Sequence, residues 1–161
     1  MRMKITAYEI NNAKETIRRF DKQKTHNKLD SDNNWIGYLG EKKFKDYISN
    51  LNVIYTWNNF LKPDYTKPDF IINGYSVDIK TTYDDALWLQ KPEWDIYILG
   101  AMERDNSEIN FCGWISKQRL KRFMRYRNYK VLRNNRVDYR IPVDKLDIMR
   151  TFEEMIKNGK A

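Results

Sequence analysis

Residues 68–81 constrain the fold most strongly, because they predict a β-hairpin. Asn73 and Gly74 lie between two runs of β-branched and aromatic residues, and this dipeptide readily takes the positive φ angles of a two-residue type I′ turn. Counting outwards from the turn predicts the cross-strand neighbours, which are Ile72 with Tyr75, Ile71 with Ser76, Phe70 with Val77, and Asp69 with Asp78.

The hairpin should have one apolar and one charged face, since side chains alternate along a strand. The predicted apolar face holds Phe70, Ile72, Tyr75, Val77 and Ile79. Asp69, Asp78 and Lys80 share the opposite face. Two carboxylates directly opposite each other destabilise a sheet by roughly 0.2–1 kcal/mol, so the fold gains nothing from them. A cation bound between the two carboxylates would make their proximity favourable. Mg²⁺ is suited to this position, because it binds one or two carboxylates, several waters and a substrate phosphate.

These residues resemble the motif of the PD-(D/E)xK superfamily, the restriction-endonuclease-like phosphodiesterases. A Pro-Asp pair that ends at Asp69 matches the first element, and the stretch from Asp78 to Lys80 matches the second. The superfamily also places a Glu on the helix before the sheet, and Glu41 takes that position here. Gln90 follows the second element, where some branches of the superfamily place a Gln.

The resemblance implies a fold and a chemistry. The fold is α/β, with a restriction-endonuclease-like αβββαβ core, a mixed sheet of about five strands flanked by helices, and extra N-terminal and C-terminal helices. Asp69, Asp78 and the carbonyl of Ile79 would hold Mg²⁺, for which Mn²⁺ could substitute, with Glu41 as a direct or water-mediated ligand. Lys80 would orient or deprotonate the attacking water, or stabilise the charge that develops on the phosphate.

A purely structural alternative exists for each of these residues. Asp69 and Asp78 could be ordinary carboxylates of an edge strand, with Lys80 as a solvated partner of Asp78. Glu41 could be an exposed carboxylate among its neighbouring lysines. The convergence of three charges on one face of a strongly patterned hairpin favours a functional site.

The whole chain has the length and charge of one basic domain. Its 161 residues predict a single domain, divided into an N-terminal helix and loop (1–32), a catalytic core (33–115), and a basic helix with a C-terminal helix (116–161). The net charge of +8 favours a polyanionic partner such as DNA. Cys112 and His26 are the only residues of their types, which excludes a disulfide framework and argues against a Ser-His nucleophilic site.

The sequence shows no sign of export or membrane insertion. Residues 1–6 lack the apolar core of a signal peptide, and no stretch approaches the roughly 20 apolar residues that span a bilayer. We therefore expect a soluble, intracellular protein without a membrane partner. Its abundant Asn, Lys, Ile and Tyr are associated with AT-rich genomes such as those of viruses and mobile elements.

Two helices are predicted before the hairpin. Apolar spacing over residues 7–24 indicates an amphipathic helix. In the polar stretch that follows, His26 is more simply a solvated loop residue than a catalyst. Either Asp32 or Asn33 can cap the next helix, which is predicted over residues 34–51.

The second of these helices should pack against the sheet. Its buried stripe is predicted to consist of Trp35, Ile36, Leu39, Phe44, Tyr47, Ile48 and Leu51. Gly37 and Gly40 each cost a helix about 1 kcal/mol relative to Ala, so both predict a close approach to another backbone. That approach would bring Glu41 towards the sheet.

Three further strands complete the predicted sheet. Residues 52–57 form a first strand beside the hairpin, residues 94–100 a buried central strand, and residues 109–115 its neighbour. Residues 84–90 predict either a helical turn or a loop that carries Trp88 towards the core.

A basic segment follows the last of these strands. Between Glu108 and Asp138 the sequence has no acidic residue and nine basic ones, which are Lys117, Arg119, Lys121, Arg122, Arg125, Arg127, Lys130, Arg133 and Arg136. Ser116 can cap a helix over residues 117–127 with its cations outwards. A run of one sign repels itself without a partner, so we predict that the first eight cations bind nucleic acid. A solvated charged face is the alternative.

The C-terminal residues predict an extended segment and a last helix. Residues 137–143 are extended and include Pro142, and either Asp144 or Asp147 caps a helix that ends near Gly159. The apolar stripe of this helix, expected to be core or dimer surface, consists of Leu146, Ile148, Met149, Phe152, Met155 and Ile156.

Together these patterns predict a divalent-metal-dependent DNA endonuclease. A junction resolvase, a restriction or homing enzyme and a repair nuclease all fit, and many such enzymes are homodimers because two strands need two sites. The alternative is a nucleic-acid-binding protein that does not cleave, on a nuclease-like fold.

Overall fold

A computed structural model describes residues 1–23, 34–58, 66–133 and 135–159. His26 and the expected caps Asp32 and Asn33 lie outside these residues. The described chain forms nine strands: β1 (Arg2–Lys4), β2 (Tyr55–Trp57), β3 (Phe70–Ile72), β4 (Tyr75–Thr82), β5 (Ala86–Leu89), β6 (Ile96–Met102), β7 (Glu108–Ser116), β8 (Lys130–Arg133) and β9 (Arg136–Pro142). Its α-helices are α1 (Ala7–Gln23), α2 (Asn34–Ser49), α3 (Lys117–Phe123) and α4 (Met149–Asn158). The expected α/β class is confirmed, and none of the described helices has the length and apolar character needed to cross a membrane.

The strands form two sheets. The main sheet has six strands in the order β1-β7-β6-β4-β3-β2, and the second sheet has three in the order β5-β9-β8. Within these sheets only β4 and β6 run parallel to each other. The main sheet exceeds the expected size because β1 adds to the edge of β7, and three residues are too few for a periodic pattern to predict.

The central hairpin has the predicted turn and register. Asn73 and Gly74 have φ angles of 44° and 88°, and the paired residues are Ile72 with Tyr75, Ile71 with Ser76, and Phe70 with Val77. The predicted first strand is confirmed as β2, which pairs with β3. The apolar face of the hairpin enters the main core, where Phe70, Ile72 and Val77 are fully buried.

The connection between β4 and β6 contains a strand where the αβββαβ order has a helix. This strand, β5, pairs with β9 and so begins the second sheet. The prediction of a helical turn or a loop over residues 84–90 is therefore wrong. Local periodicity could not reveal β5, because its partner strand comes from the distant C-terminal part of the chain.

α2 packs against the main sheet as predicted, and one of its glycines marks the contact. Its predicted stripe is buried, apart from Leu51, which follows the helix and is half-buried. A Cβ on Gly40 would lie 1.8 Å from Thr81 Oγ1 on β4, whereas nothing would lie within 4 Å of a Cβ on Gly37. The predicted close approach is thus confirmed at Gly40, where the neighbour is the Thr81 side chain, and wrong at Gly37.

α1 lies against α2 through a narrow apolar stripe. Ala13 and Ile17 are buried, whereas Tyr8 is 76% exposed. Glu9 of α1 forms an ion pair with Lys43 of α2 at 2.5 Å. Lys43 therefore stabilises the contact between the two helices.

The C-terminal helices differ from prediction at their ends. α3 begins at the predicted cap, Ser116, whose Oγ accepts a hydrogen bond from the Arg119 N–H at 3.3 Å, but it ends at Phe123 rather than at residue 127. α4 follows Ile148, which is 63% exposed, and has no side-chain cap. Asp147 instead pairs with Arg119. Of the predicted stripe, Met149, Phe152 and Ile156 are buried in the main core, whereas Ile148 is exposed before the helix begins.

The second sheet packs on a smaller core beside β6 and β7. The buried residues of this second core are Leu87, Leu89, Tyr97, Ile115, Leu120 and Ile141. The predicted extended segment over residues 137–143 is confirmed as β9, and it forms a hairpin with β8. β8 was not predicted, because the density of positive charge there suggested only a nucleic-acid-binding segment.

Gly40→Ala should destabilise the protein, whereas Gly37→Ala should not. A methyl group at position 40 would overlap Thr81 Oγ1, so α2 or β4 must shift, and we expect the free energy of unfolding to fall by about 2–3 kcal/mol. At position 37 the methyl group has open space, and the helix propensity of Ala adds about 0.5–1 kcal/mol. Urea unfolding measures both changes. Similar effects of the two substitutions would contradict the close contact at Gly40.

Candidate active site

Three segments of the chain bring four predicted residues together beside β4. Glu41 comes from α2, Asp69 immediately precedes β3, and Asp78 and Lys80 lie on β4. Glu41 and Asp78 are each 6% exposed, and the charges of the four groups shift one another's pKa values. The structure therefore groups the three carboxyl groups and the amine that the hairpin register and the α2 contact predict.

The hairpin holds Asp69 against β4. Asp69 Oδ2 accepts a hydrogen bond from the Ile79 backbone N–H at 2.7 Å, and burial, together with the Asp78 charge, raises the pKa of Asp69 to about 7. Burial also raises the pKa of Asp78, although Lys80 Nζ lies 2.7 Å from Asp78 Oδ2 and opposes this rise. Burial alone would lower the pKa of Lys80, but Asp78 outweighs it, so the net pKa is raised. Ile79, whose carbonyl is an expected ligand, lies between these two side chains on β4.

Glu41 faces the sheet, and Trp57 holds its carboxyl group. The Trp57 indole N–H donates to Glu41 Oε2 at 3.2 Å, and the indole ring stacks on Phe70 with the ring centroids 6.3 Å apart. Burial, followed by the charge of Asp69, raises the pKa of Glu41 to about 9. Glu41 is therefore no exposed carboxylate among lysines. Sequence reasoning missed Trp57, whose place at the end of the strand beside the hairpin was the available signal.

The carboxyl groups suit a hard divalent cation, although they do not form a closed cage. Asp78 Oδ2 is buried and, apart from its ion pair with Lys80, has no hydrogen-bond partner among the described residues. Over the same parts of the chain, no three His, Cys, Asp or Glu side chains form a group that could hold a metal ion. Mg²⁺ keeps several waters and needs only one or two protein carboxylates, so these crowded oxygen donors fit it.

An open cavity of about 430 Å³ lies over Asp78 and Lys80. Tyr97, on β6, is buried beside Asp78 and lines the cavity. Its hydroxyl oxygen accepts hydrogen bonds from the backbone N–H groups of Glu93 and Trp94 at 2.6 and 2.9 Å, which holds the chain before β6 in place as the cavity wall. Lys80, whose side chain is 42% exposed, can therefore reach a molecule in the cavity.

The basic segment contacts this cavity wall at two points. Lys117 Nζ donates to the Glu93 carbonyl oxygen at 2.7 Å. Gln90, which lines the cavity, accepts hydrogen bonds from Nη1 and Nε of Arg136 at 2.9 and 3.0 Å when its amide oxygen faces that residue. Lys117 and Arg136, at the two ends of the basic segment, are therefore anchored at the cavity wall.

The other predicted nucleic-acid contacts differ in exposure. The exposed cations are Lys121, Arg122, Arg125, Arg127 and Lys130. Arg119 pairs with Asp147, and its guanidinium group lies 5.7 Å from the centre of the Phe123 ring, so it has a structural role. Arg133 lies in β8.

The four charged residues carry the functional interpretation by themselves. No protein-family model, curated protein or solved structure matches the chain. The function is therefore inferred from the burial, contacts and charges of Glu41, Asp69, Asp78 and Lys80.

The raised pKa values predict that the metal-free protein loses stability as the pH rises. Unfolded carboxyl groups release their protons near pH 4, whereas Asp69 and Glu41 in the folded protein have pKa values of about 7 and about 9. Between these pH values the unfolded chain binds fewer protons than the folded chain, so a rise in pH favours unfolding. We expect the free energy of unfolding in EDTA to fall by roughly 4–6 kcal/mol from about pH 5 to about pH 8.

Glu41→Gln is the matched control for this pH dependence, since Gln resembles a protonated Glu and keeps an oxygen for the Trp57 N–H. The variant should match the wild type near pH 5 and exceed its free energy of unfolding by about 3–4 kcal/mol near pH 8. Urea unfolding at both pH values measures the difference. Parallel pH profiles for the two proteins would show that the Glu41 pKa is ordinary.

Proposed function

We propose that this protein is a divalent-metal-dependent endonuclease that hydrolyses phosphodiester bonds in DNA. The observation that supports it most directly is the convergence of Glu41, Asp69 and Asp78 beside Lys80, with Asp78 and Lys80 lining an open cavity. Buried like charges destabilise a fold unless a cation neutralises them. Perturbed carboxyl groups in a cleft are typical of functional sites.

The order of the elements supports a restriction-endonuclease-like fold for this site. α2 carries Glu41 and precedes the antiparallel strands β2, β3 and β4, and β6 lies parallel to β4. This is the αβββαβ order, except that β5 takes the position of the second helix. The protein would then be a variant of that fold in which the connection to β6 contributes a strand.

The carboxyl groups would hold the metal ion in positions set by their neighbours. Asp69, Asp78 and the Ile79 carbonyl are the proposed ligands of Mg²⁺ or Mn²⁺, with Glu41 as a direct or water-mediated ligand. When bound, such an ion polarises the phosphate, helps to generate hydroxide and stabilises the leaving oxygen. The Ile79 N–H orients Asp69, and the Trp57 N–H orients Glu41, so both carboxyl groups are positioned before a substrate arrives.

Lys80 is the residue placed to act on the substrate side of the site. Its Nζ lies beside Asp78, and its side chain is partly open to the cavity. An ammonium group has three donors, so Lys80 can keep its contact with Asp78 while it donates to the attacking water or to a phosphate oxygen. Either contact favours in-line attack and stabilises the negative charge that develops on the phosphate.

The exposed cations of the basic segment favour a nucleic acid as the substrate. They lie in a stretch without a compensating acidic residue in the sequence between Glu108 and Asp138, and the segment touches the cavity wall through Lys117 and Arg136. Such a surface neutralises phosphates of the DNA backbone and fixes the register of the strand over the site.

Asp78→Asn and Lys80→Met should each abolish cleavage while DNA binding persists. The cleavage rate should fall by about 10²–10⁴-fold, because the first variant removes a proposed metal ligand and the second a donor to the phosphate. The assay uses Mg²⁺ or Mn²⁺ with linear duplex DNA, single-stranded DNA, a four-way junction and RNA, and maps the product ends. Glu154→Gln is the control, since Glu154 is exposed on α4, and it should cleave like the wild type.

The pattern of products distinguishes the remaining possibilities. Paired symmetric nicks in the four-way junction would indicate a homodimeric resolvase. Salt-sensitive DNA binding without scission of any substrate would contradict the nuclease proposal. It would favour a nucleic-acid-binding protein that does not cleave.

Trp57→Phe should weaken the response to metal without removing the catalytic residues. The Phe ring keeps the stacking contact with Phe70 but lacks the N–H that orients Glu41. Loss of such an outer partner costs about 10-fold or more in metal affinity, so the Mg²⁺ concentration for half-maximal cleavage should rise by about this factor. Trp114→Phe is the control, because its indole N–H donates to Thr151 at 3.0 Å, away from the site. Matching Mg²⁺ titrations of the two variants would refute the role of Trp57.

A further inference from the structure

The β8–β9 hairpin carries two exposed aliphatic side chains near its turn. Residues two apart on a strand share a face, so Val137, Tyr139 and Ile141 lie on one face of β9, and Leu132 is the cross-strand neighbour of Val137. Ile141 is fully buried in the second core, whereas Val137 is 46% exposed and Leu132 is 75% exposed. The apolar face of the second sheet therefore continues beyond its core into solvent.

The surroundings of this aliphatic pair are cationic. Lys130 is exposed next to it, and the Arg136 side chain is 61% exposed. The sequence has no acidic residue between Glu108 and Asp138, and Asp138 itself is only 4% exposed and pairs with Arg136. A partner that complements this tip must therefore be anionic at its edges and apolar between them. Stacked bases between two phosphate backbones have that chemistry.

The strand that carries Val137 pairs with a strand that lines the cavity. Leu89 lines the cavity and is the cross-strand partner of Tyr139. Val137 lies two residues further along β9, which is about 7 Å at the usual rise of a strand.

We infer that Leu132 and Val137 form a wedge that enters the minor groove of the DNA substrate and partly unstacks a base step. The inference rests on the proposed function, because it takes DNA as the substrate. Lys130 and Arg136 contact the flanking phosphates. Opening a base step costs free energy that a bulge, a mismatch or a branch point has already supplied. The preferred substrate is therefore DNA with a pre-opened or flexible step.

The double variant Leu132→Ser with Val137→Ser tests the wedge in the full-length protein. Binding is measured in EDTA, so that no cleavage occurs, on short duplexes with 2-aminopurine at successive positions and on the same duplexes with a bulge. The wild type should raise the 2-aminopurine fluorescence on binding, and the variant should not. Affinity for the paired duplex should fall by about tenfold, with little change for the bulged duplex.

The control is the double variant Ile54→Ser with Ile148→Ser, which removes two aliphatic side chains that are 82% and 63% exposed on other elements. It should match the wild type on both duplexes. The salt dependence of binding should be the same in all three proteins, because every cation is retained. Equal loss of affinity on paired and bulged duplexes would overturn the wedge, as would an unchanged fluorescence signal in the Leu132 and Val137 variant.

The same experiment separates this inference from the nuclease proposal. Cleavage with Mg²⁺ by a wild-type protein that never unstacks DNA would overturn the wedge alone. Unstacking without cleavage of any substrate would overturn the nuclease alone, and absence of DNA binding would overturn both. A wild-type dimer that becomes monomeric in the Leu132 and Val137 variant, with unchanged DNA binding, would show that this pair contacts a second copy instead and that the wedge is wrong.

Discussion

Mutual repulsion among the carboxyl groups of Glu41, Asp69 and Asp78 is the constraint on which the rest of the structure depends. A fold that buries like charges must hold them in place by other means. Here the Asn73 and Gly74 turn sets the pairing that brings Asp69 to β4, and the contact of Gly40 with Thr81 lets α2 approach closely enough to deliver Glu41. The main core offsets the unfavourable burial of these charges through its apolar packing. The Phe44 ring contacts the rings of Phe70, Phe111 and Phe152 there.

The same repulsion connects stability to chemistry. In the metal-free protein the strain is relieved by proton retention on Asp69 and Glu41 and by the ion pair of Lys80 with Asp78. A divalent cation would relieve it more fully, which is why a site that weakens the fold is a reasonable place for metal-dependent hydrolysis. Functional sites commonly depart from the folding rules that the rest of a sequence follows. The carboxyl cluster does so, because it buries like charges side by side.

The second sheet changes how the site can be used. β5 occupies the connection in which the αβββαβ order has a helix, and its pairing with β9 draws the basic segment to the cavity wall. Gln90 and Arg136 meet at that wall, as do Glu93 and Lys117. As a result, Lys117 and Arg136 contact the wall of the cavity over Asp78 and Lys80, although they come from a later part of the chain.

The sequence by itself determined what depends on neighbours in the chain. A two-residue turn and the alternation of a strand set the register of β3 and β4 and the shared face of Asp69, Asp78 and Lys80, and helical periodicity set the buried stripe of α2. Only the tertiary structure decided the features that need distant partners: the pairing of β5 with β9, the hydrogen bond from Trp57 to Glu41, and the ion pair of Asp147 with Arg119 in place of a helix cap. Local patterns report hydrogen bonding and burial within one element, whereas these contacts arise from the packing of separate elements, which leaves no periodic trace in either segment.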